Sequence, residues 1–408
     1  MELPELLVPA GTLEKLKVAV KYGADALYLG GPEYGLRKKA GNFSLEEIEK
    51  GVEFAHQHDV ALYVTVNILA HNEDLVGLEE YIEDLAELGV DAVIVADPGI
   101  FSIVQDAAPE LKIHISTQAN NTNWRSAQFW KEQGASRVIL ARELSLEEIT
   151  EINQQVDLSF ESFVHGAMCI SYSGRCLLSN YMINRDSNRG NCAHSCRWQY
   201  TLMEEQRPGE YYPIEEDERG TYIFNSKDLC MIEYLPELIK TGLDSLKIEG
   251  RMKSVHYVAT VTNIYRRALD QYAKNPEGYT FQADWLAELR KISHRHYTTG
   301  FYFEQPGGSE QNYESSGYAR DYDFMGVVQD YDAECEEAVV EVRNKFFAGD
   351  KVEFFGPATD TFTQNIESMR NEEGLVIEEA PHPKQLITVE VKEPVNKYDL
   401  VRRKRKEE

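Results

Sequence analysis

The chain has 408 residues, 42% of them hydrophobic and 27% charged, with a formal net charge of −27. That length suits one large domain plus a smaller one, and no apolar run approaches the ~18 residues needed to span a bilayer. So acidic a surface repels phosphate backbones and excludes broad, non-specific binding to nucleic acid. The opening stretch MELPELLVPAG has neither the basic nor the apolar region of a secretory signal. A cytoplasmic location is expected, and there thiols stay reduced and a disulfide framework is disfavoured.

In chain order, ELLVPA (5–10) reads as a first strand, and YGADALYLGG (22–31) introduces a pattern that recurs three times. LGVDAVIVAD (88–97), QGASRVILAR (133–142) and TGLDSLKIEG (241–250) repeat it. Each has a glycine suited to a helix C′ position, followed by a run suited to a strand buried on both faces. Helical periodicity precedes each glycine, as in LEEYIEDLAEL before Gly89. Further strands are expected at ALYVTVN (61–67), KIHISTQ (112–118) and LSFESFVHG (158–166). Eight strands alternating with helices predict an α/β fold, a (β/α)8 TIM-like barrel over residues 1–275. A doubly wound open sheet is the alternative, weakened because no G-x-G-x-x-G follows the first strand.

About 80 residues separate the seventh and eighth strands, far beyond a usual βα unit. This insertion, at about 167–240, leaves the barrel on the face where βα loops build active sites. After the eighth strand come a strong helix at SVHYVATVTNIYRRALDQYAKN and a helical segment and linker over 276–320. The stretches DFMGVVQDYD, EEAVVEVR, DKVEFFGP and KQLITVEVK alternate with turn signals and predict a small all-β barrel domain over 321–402. Residues 403–408 read as a frayed charged tail, and Cys335 as a core residue of the β domain.

Four of the six cysteines, Cys169, Cys176, Cys192 and Cys196, fall in that insertion. From Ser162 to Met203 the only acid is Asp186, against Arg175, Arg185, Arg189 and Arg197, so the cysteines lie on a basic island. Their spacing, C-x6-C and then C-x3-C, lacks the paired C-x2-C knuckles of a zinc ribbon. It is compatible with an iron–sulfur cluster, whose ligands need only converge on the corners of a cube; zinc and unligated cysteines stay open. Cys230, in NSKDLCMIEY, is an alternative fourth ligand.

ESFVHGAMCISYSGRCLLS resembles the signature of the U-32 peptidase (collagenase-like) family, with fixed points on Glu161, Phe163, Gly166, Cys169, Gly174, Cys176 and Ser179. LLVPAG, STQAN (116–120), NSKDL (225–229) and SLKIEGRMKS (245–254) extend the resemblance over essentially the whole chain. It is strongest to the branch that hydroxylates tRNA. The resemblance implies oxygen-independent formation of 5-hydroxyuridine at the wobble position, with a [4Fe–4S] cluster on Cys169, Cys176, Cys192 and Cys196. It further implies prephenate as hydroxyl donor, tRNA as partner, and a possible role for a paralogous family member.

The family name also implies proteolysis. Cys169 with His165 is the one conceivable dyad, and a thiolate bound to iron could not also attack a peptide. A non-catalytic RNA-binding scaffold is the third reading. Polar groups at strand ends are the site candidates: His165, Glu249 and Arg251 as catalytic groups, and Asn67, Gln118, Asn120, Arg142 and Arg175 as substrate-binding ones, with Asp97 beside them. Arg142 and Arg251 suit an anionic substrate or, equally, salt bridges to Glu143 and Glu249. Tyr172, Tyr181 and Trp198 are candidates to stack on an unstacked base.

Overall fold

The computed structural model describes residues 3–36, 41–169, 174–183, 185–193, 195, 215–217, 220–222, 227–304 and 319–405. Seven parallel strands run β1 (Glu5–Pro9), β2 (Ala26–Gly30), β3 (Ala61–Val66), β4 (Ala92–Val95), β5 (Lys112–Ile115), β6 (Arg137–Ile139) and β7 (Ser159–Ala167). An eighth, Ser245–Ile248, pairs in parallel with both β7 and β1, so the barrel closes as expected. The four repeated glycines, Gly23, Gly89, Gly134 and Gly242, all have φ between 77 and 100°, the left-handed conformation that ends the preceding helix. Ser44 and Ser145 open their helices with capping boxes completed by Glu47 and Glu148.

One strand departs from the ideal. The register of β7 against the eighth strand shifts where Phe163 faces Lys247 and His165 faces Ile248. Beyond that point the upper half of β7 pairs antiparallel with a short strand, Asp228–Cys230, that returns from the insertion. Gly166, at φ 110°, permits the bend, and a side chain there would collide with the Glu249 carbonyl.

Residues 322–404 form a curled antiparallel sheet of eight strands around Met325, Val340, Phe354 and Val401. Two expectations need correction here. The described part of the basic C-terminal stretch is not a frayed tail: Leu400–Lys404 is an inner strand between Tyr322–Asp332 and Lys351–Phe355. Its arginines are consumed by acids, Arg403 with Asp350 and Arg405 with Asp323. Cys335 is not in the core either; it is exposed on the turn after Asp332, whose carboxylate accepts its backbone N–H.

The β domain is fixed to the barrel by an apolar contact of Tyr22, Val255 and Ala259 with Val327, Phe355 and Leu400. The Tyr22 hydroxyl donates to the Tyr398 carbonyl at 3.0 Å. Arg402, with no exposed surface, donates to Glu353 of its own domain at 2.8 Å and to Glu288 of the helical segment at 2.7 Å. Burial opposes the charge on Glu353, but Arg402 and Lys291 outweigh it and hold the carboxyl below its ordinary range. Among the described residues no helix is long and apolar enough to cross a membrane.

Arg402→Ala leaves two carboxylates without their shared partner and should destabilise the protein by about 3 kcal/mol, read from the urea midpoint. Because the folded Glu353 is the stronger acid, its pairing stabilises above about pH 4.5 and fades as pH falls below that. The acid-side loss should therefore be shallower in the variant; an unchanged midpoint at neutral pH would refute this role.

Candidate active site

Alternate residues of a barrel strand point inward, and here several of the inward positions are polar. Near the N-terminal end, Arg137 Nη1 donates to Glu5 Oε1 at 2.7 Å and to Glu161 Oε2 at 3.3 Å. The Tyr63 hydroxyl and Ser245 Oγ also donate to Glu5, at 2.7 and 2.9 Å. Burial first, and then Glu5, push the Tyr63 hydroxyl far above its usual range, so it remains a donor. Glu161, fully buried, receives Lys247 Nζ on its other oxygen at 2.8 Å.

Above this network lies a cleft that opens on the C-terminal face. Among the described residues three cations line it, Arg142, Lys247 and Arg251, against one carboxylate, Glu249. Arg251 is buried (4% exposed) and donates to Thr65 Oγ1 at 3.3 Å and Asn42 Oδ1 at 2.9 Å. A methyl group on Gly30 would collide with its guanidinium, and one on Gly11 with its carbonyl oxygen. Arg142 lies 3.8 Å over the Phe163 ring and 3.7 Å from Glu249 Oε2. The Tyr28 hydroxyl is 3.4 Å from the same carboxylate oxygen. Asn67 joins neighbouring loops, donating to Ser116 Oγ and accepting from the Leu36 N–H, both at 3.3 Å.

Five expected residues thus converge on the cleft: Asn67, Gln118, Arg142, Glu249 and Arg251. Others do not. Asp97 caps the helix Pro98–Ala107, Asn120 occupies a left-handed turn outside the lining, and Arg175 is exposed on the cysteine loop. His165 is the chief correction. The register shift turns its ring out of the barrel, among Tyr257, Tyr265 and Tyr297. Burial there lowers its pKa to about 3, so it stays neutral. Cys230 faces the same outer layer; burial pushes its thiol up to about 12, with Tyr265 as a hydrogen-bond partner, which disfavours the thiolate a metal ligand must supply. Lys247, Phe163 and Thr65 were missed as site residues. The available signal was spacing: Lys247, Glu249 and Arg251 recur every second residue from the eighth strand into the loop that follows it.

The cysteine loop crosses the mouth of this cleft. Leu69 N–H donates to the Asn188 carbonyl at 3.0 Å, and Arg189 pairs with Glu73 and Asp74, which removes one cation from the basic island. Ser187 Oγ donates to the Cys176 carbonyl at 2.8 Å, and Ala193 N–H to Ser179 Oγ at 2.9 Å, so the segments bearing Cys176 and Cys192 are laced together. Cys169 is exposed and Cys176 and Cys192 half-buried. Thiols collected on one loop suit a soft iron–sulfur centre in kind. Among the described residues, no group of three or more His, Cys, Asp or Glu is gathered as a metal site. Cys196, Tyr172, Trp198 and the side chain of Tyr181 lie outside the described residues.

Residues 11–312 match the profile of peptidase family U32, and residues 320–402 that of the peptidase family U32 C-terminal domain. The chain is 47% identical over 400 residues to "tRNA hydroxylation protein P1" of Bacillus subtilis, covering 98% of this chain and 94% of that one. It is 41% identical to "tRNA hydroxylation protein P" of Escherichia coli, covering 93% and 91%. A 23S rRNA 5-hydroxycytidine synthase of Escherichia coli is 39% identical over 65% of this chain and 39% of that one.

The outward position of His165 has a thermodynamic consequence. Its folded pKa of about 3 lies below the unfolded value of about 6.5, so the unfolded chain binds the extra proton between these limits. Stability therefore falls as pH drops below about 6.5, by about 1 kcal/mol between pH 6.5 and 5.5 from this residue. His165→Phe should fold at neutral pH and show an acid slope reduced by about one proton in denaturant melts. An unchanged slope would contradict the assignment.

Proposed function

From the premise that this chain belongs to peptidase family U32, we propose that it is a tRNA-hydroxylating enzyme. Its product is 5-hydroxyuridine at the wobble position, formed without molecular oxygen and with prephenate as hydroxyl donor. The near-full-length likeness to tRNA hydroxylation proteins carries this reading, and the likeness to an rRNA hydroxylating enzyme supports RNA hydroxylation as its general chemistry.

The geometry favours this reading over proteolysis. A cysteine nucleophile needs a base within about 3 Å, and His165 faces the tyrosines of the outer layer while Cys169 is exposed on the loop. What remains at the barrel mouth is a cationic cleft on an otherwise acidic protein, suited to a small anion. Arg142 and Arg251 would orient its carboxylates. Glu249, the one carboxylate of the lining, is the candidate proton acceptor beside the Tyr28 hydroxyl. We assign a [4Fe–4S] cluster to Cys169, Cys176, Cys192 and Cys196; when bound it would supply one-electron chemistry. RNA would meet the loop and exposed Arg175, and with so few cations there its affinity should depend only modestly on salt. A paralogous family member as partner and a cytoplasmic location complete the reading.

The test is nucleoside analysis of tRNA from a deletion strain complemented with variants. The wild type should restore the wobble 5-hydroxyuridine nucleosides, Cys169→Ala should not, and Arg251→Ala should lower them by at least about tenfold. Protein purified without oxygen should carry about four irons and four sulfides, lost in Cys169→Ala. Unaltered tRNA in the deletion strain would overturn the proposal.

A further inference from the structure

We propose that Lys247 is an anion-binding residue of the cleft, and that Glu161 and Phe163 are positioning residues which hold its ammonium toward the ligand. The inference rests on reading the cleft as the site of a small carboxylate-bearing co-substrate, and adds to that reading a contact and the parts that aim it.

An ammonium has three N–H donors. Among the described residues Lys247 makes one hydrogen bond, to Glu161 Oε1 at 2.8 Å, although its side chain is only 5% exposed. Its remaining surroundings are aromatic: the Tyr28 ring centroid at 4.3 Å and that of Phe163 at 5.6 Å. Ring faces favour the charge and accept no ordinary hydrogen bond, so the cleft is where the other donors can be satisfied, and Lys247 lines it. A charge this deeply buried with donors to spare is suited to a ligand that supplies the oxygens.

Glu161 cannot follow Lys247 upward. It has no exposed surface, and Arg137 holds its second oxygen at 3.3 Å from below. The carboxylate is thus pinned between two cations and fixes the height of the ammonium along the barrel axis. Phe163 fixes the lateral position, because Arg142 lies on the same ring at 3.8 Å. The two like charges are spaced by one aromatic face, and Arg251 provides the third corner. A compact molecule with two carboxylates could place a separate carboxylate at each of two of these corners, which one with a single carboxylate cannot.

The test is calorimetric titration of the full-length protein, purified without oxygen, with malonate and with prephenate. Lys247→Met should weaken both by about tenfold or more and acetate by less, and Phe163→Leu should weaken them several-fold. Since Lys247→Met strands the Glu161 charge, the double variant Glu161→Gln/Lys247→Met, which removes both charges, is measured beside it. In Glu161→Gln the ammonium loses the carboxylate that holds its height, so the affinity for both probes should fall. Wild-type affinity in a folded Lys247→Met or double variant would overturn the proposal and leave Lys247 as a counterion to Glu161. So would a wild type that binds neither probe. Either result leaves the tRNA reading standing on its nucleoside assay, which is scored independently.

Discussion

The buried carboxylate of Glu161 is the constraint around which the barrel is organised. Removed from water, it must be matched by charge and hydrogen bonds, and it obtains both from Arg137 on β6 and Lys247 on the eighth strand. Arg137 in turn reaches Glu5 on β1, which also collects Tyr63 of β3 and Ser245. One chain of ionic hydrogen bonds therefore ties five of the eight strands across the axis. Barrels of this kind are usually filled there by branched apolar side chains. The polar filling sets the strands in register through directional bonds, and it delivers a cation to the floor of the cleft.

A second constraint operates at the top. Arg251 occupies space that side chains at Gly30 and Gly11 would fill, so the glycines of LVPAG and YLGG make room for a buried guanidinium and for the backbone that carries it. Its donors go to the neutral oxygens of Thr65 and Asn42. Two of its hydrogen bonds thus go to neutral groups, whereas Arg189 and Arg403 pair with acids. With a net charge of −27 the chain nonetheless gathers Arg142, Lys247 and Arg251 at the cleft, where charge acts over a lower dielectric than at the surface.

The departure of β7 from the barrel separates two kinds of polar residue. Below the register shift, Glu161 and Phe163 face the axis; above it, His165 packs against Tyr257 and Tyr265 of the long helix Val255–Lys274. The bend at Gly166 lets the strand leave the wall and continue into the cysteine loop. That loop is then held over the mouth by Arg189 and by the Leu69–Asn188 hydrogen bond. Site and loop are joined through the backbone of one strand, which accounts for a signature motif that spans both.

Local chemistry in the sequence determined the alternation of strands and helices, the four glycine turns and the all-β character of the C-terminal region, because each follows from periodicity and backbone preference within a few residues. It also placed Asn67, Gln118, Arg142, Glu249 and Arg251 at strand ends that meet. What it could not contain was the direction of His165, a site candidate by its place at a strand end until a register shift turned it outward. Nor did it contain the fate of the C-terminal arginines, which resemble a solvated tail until Leu400–Lys404 is paired on both sides. Lys247 stood in plain view, but its role depends on Glu161, 86 residues earlier. Contacts of that separation are decided by how strands register and close, and only the tertiary structure fixes them.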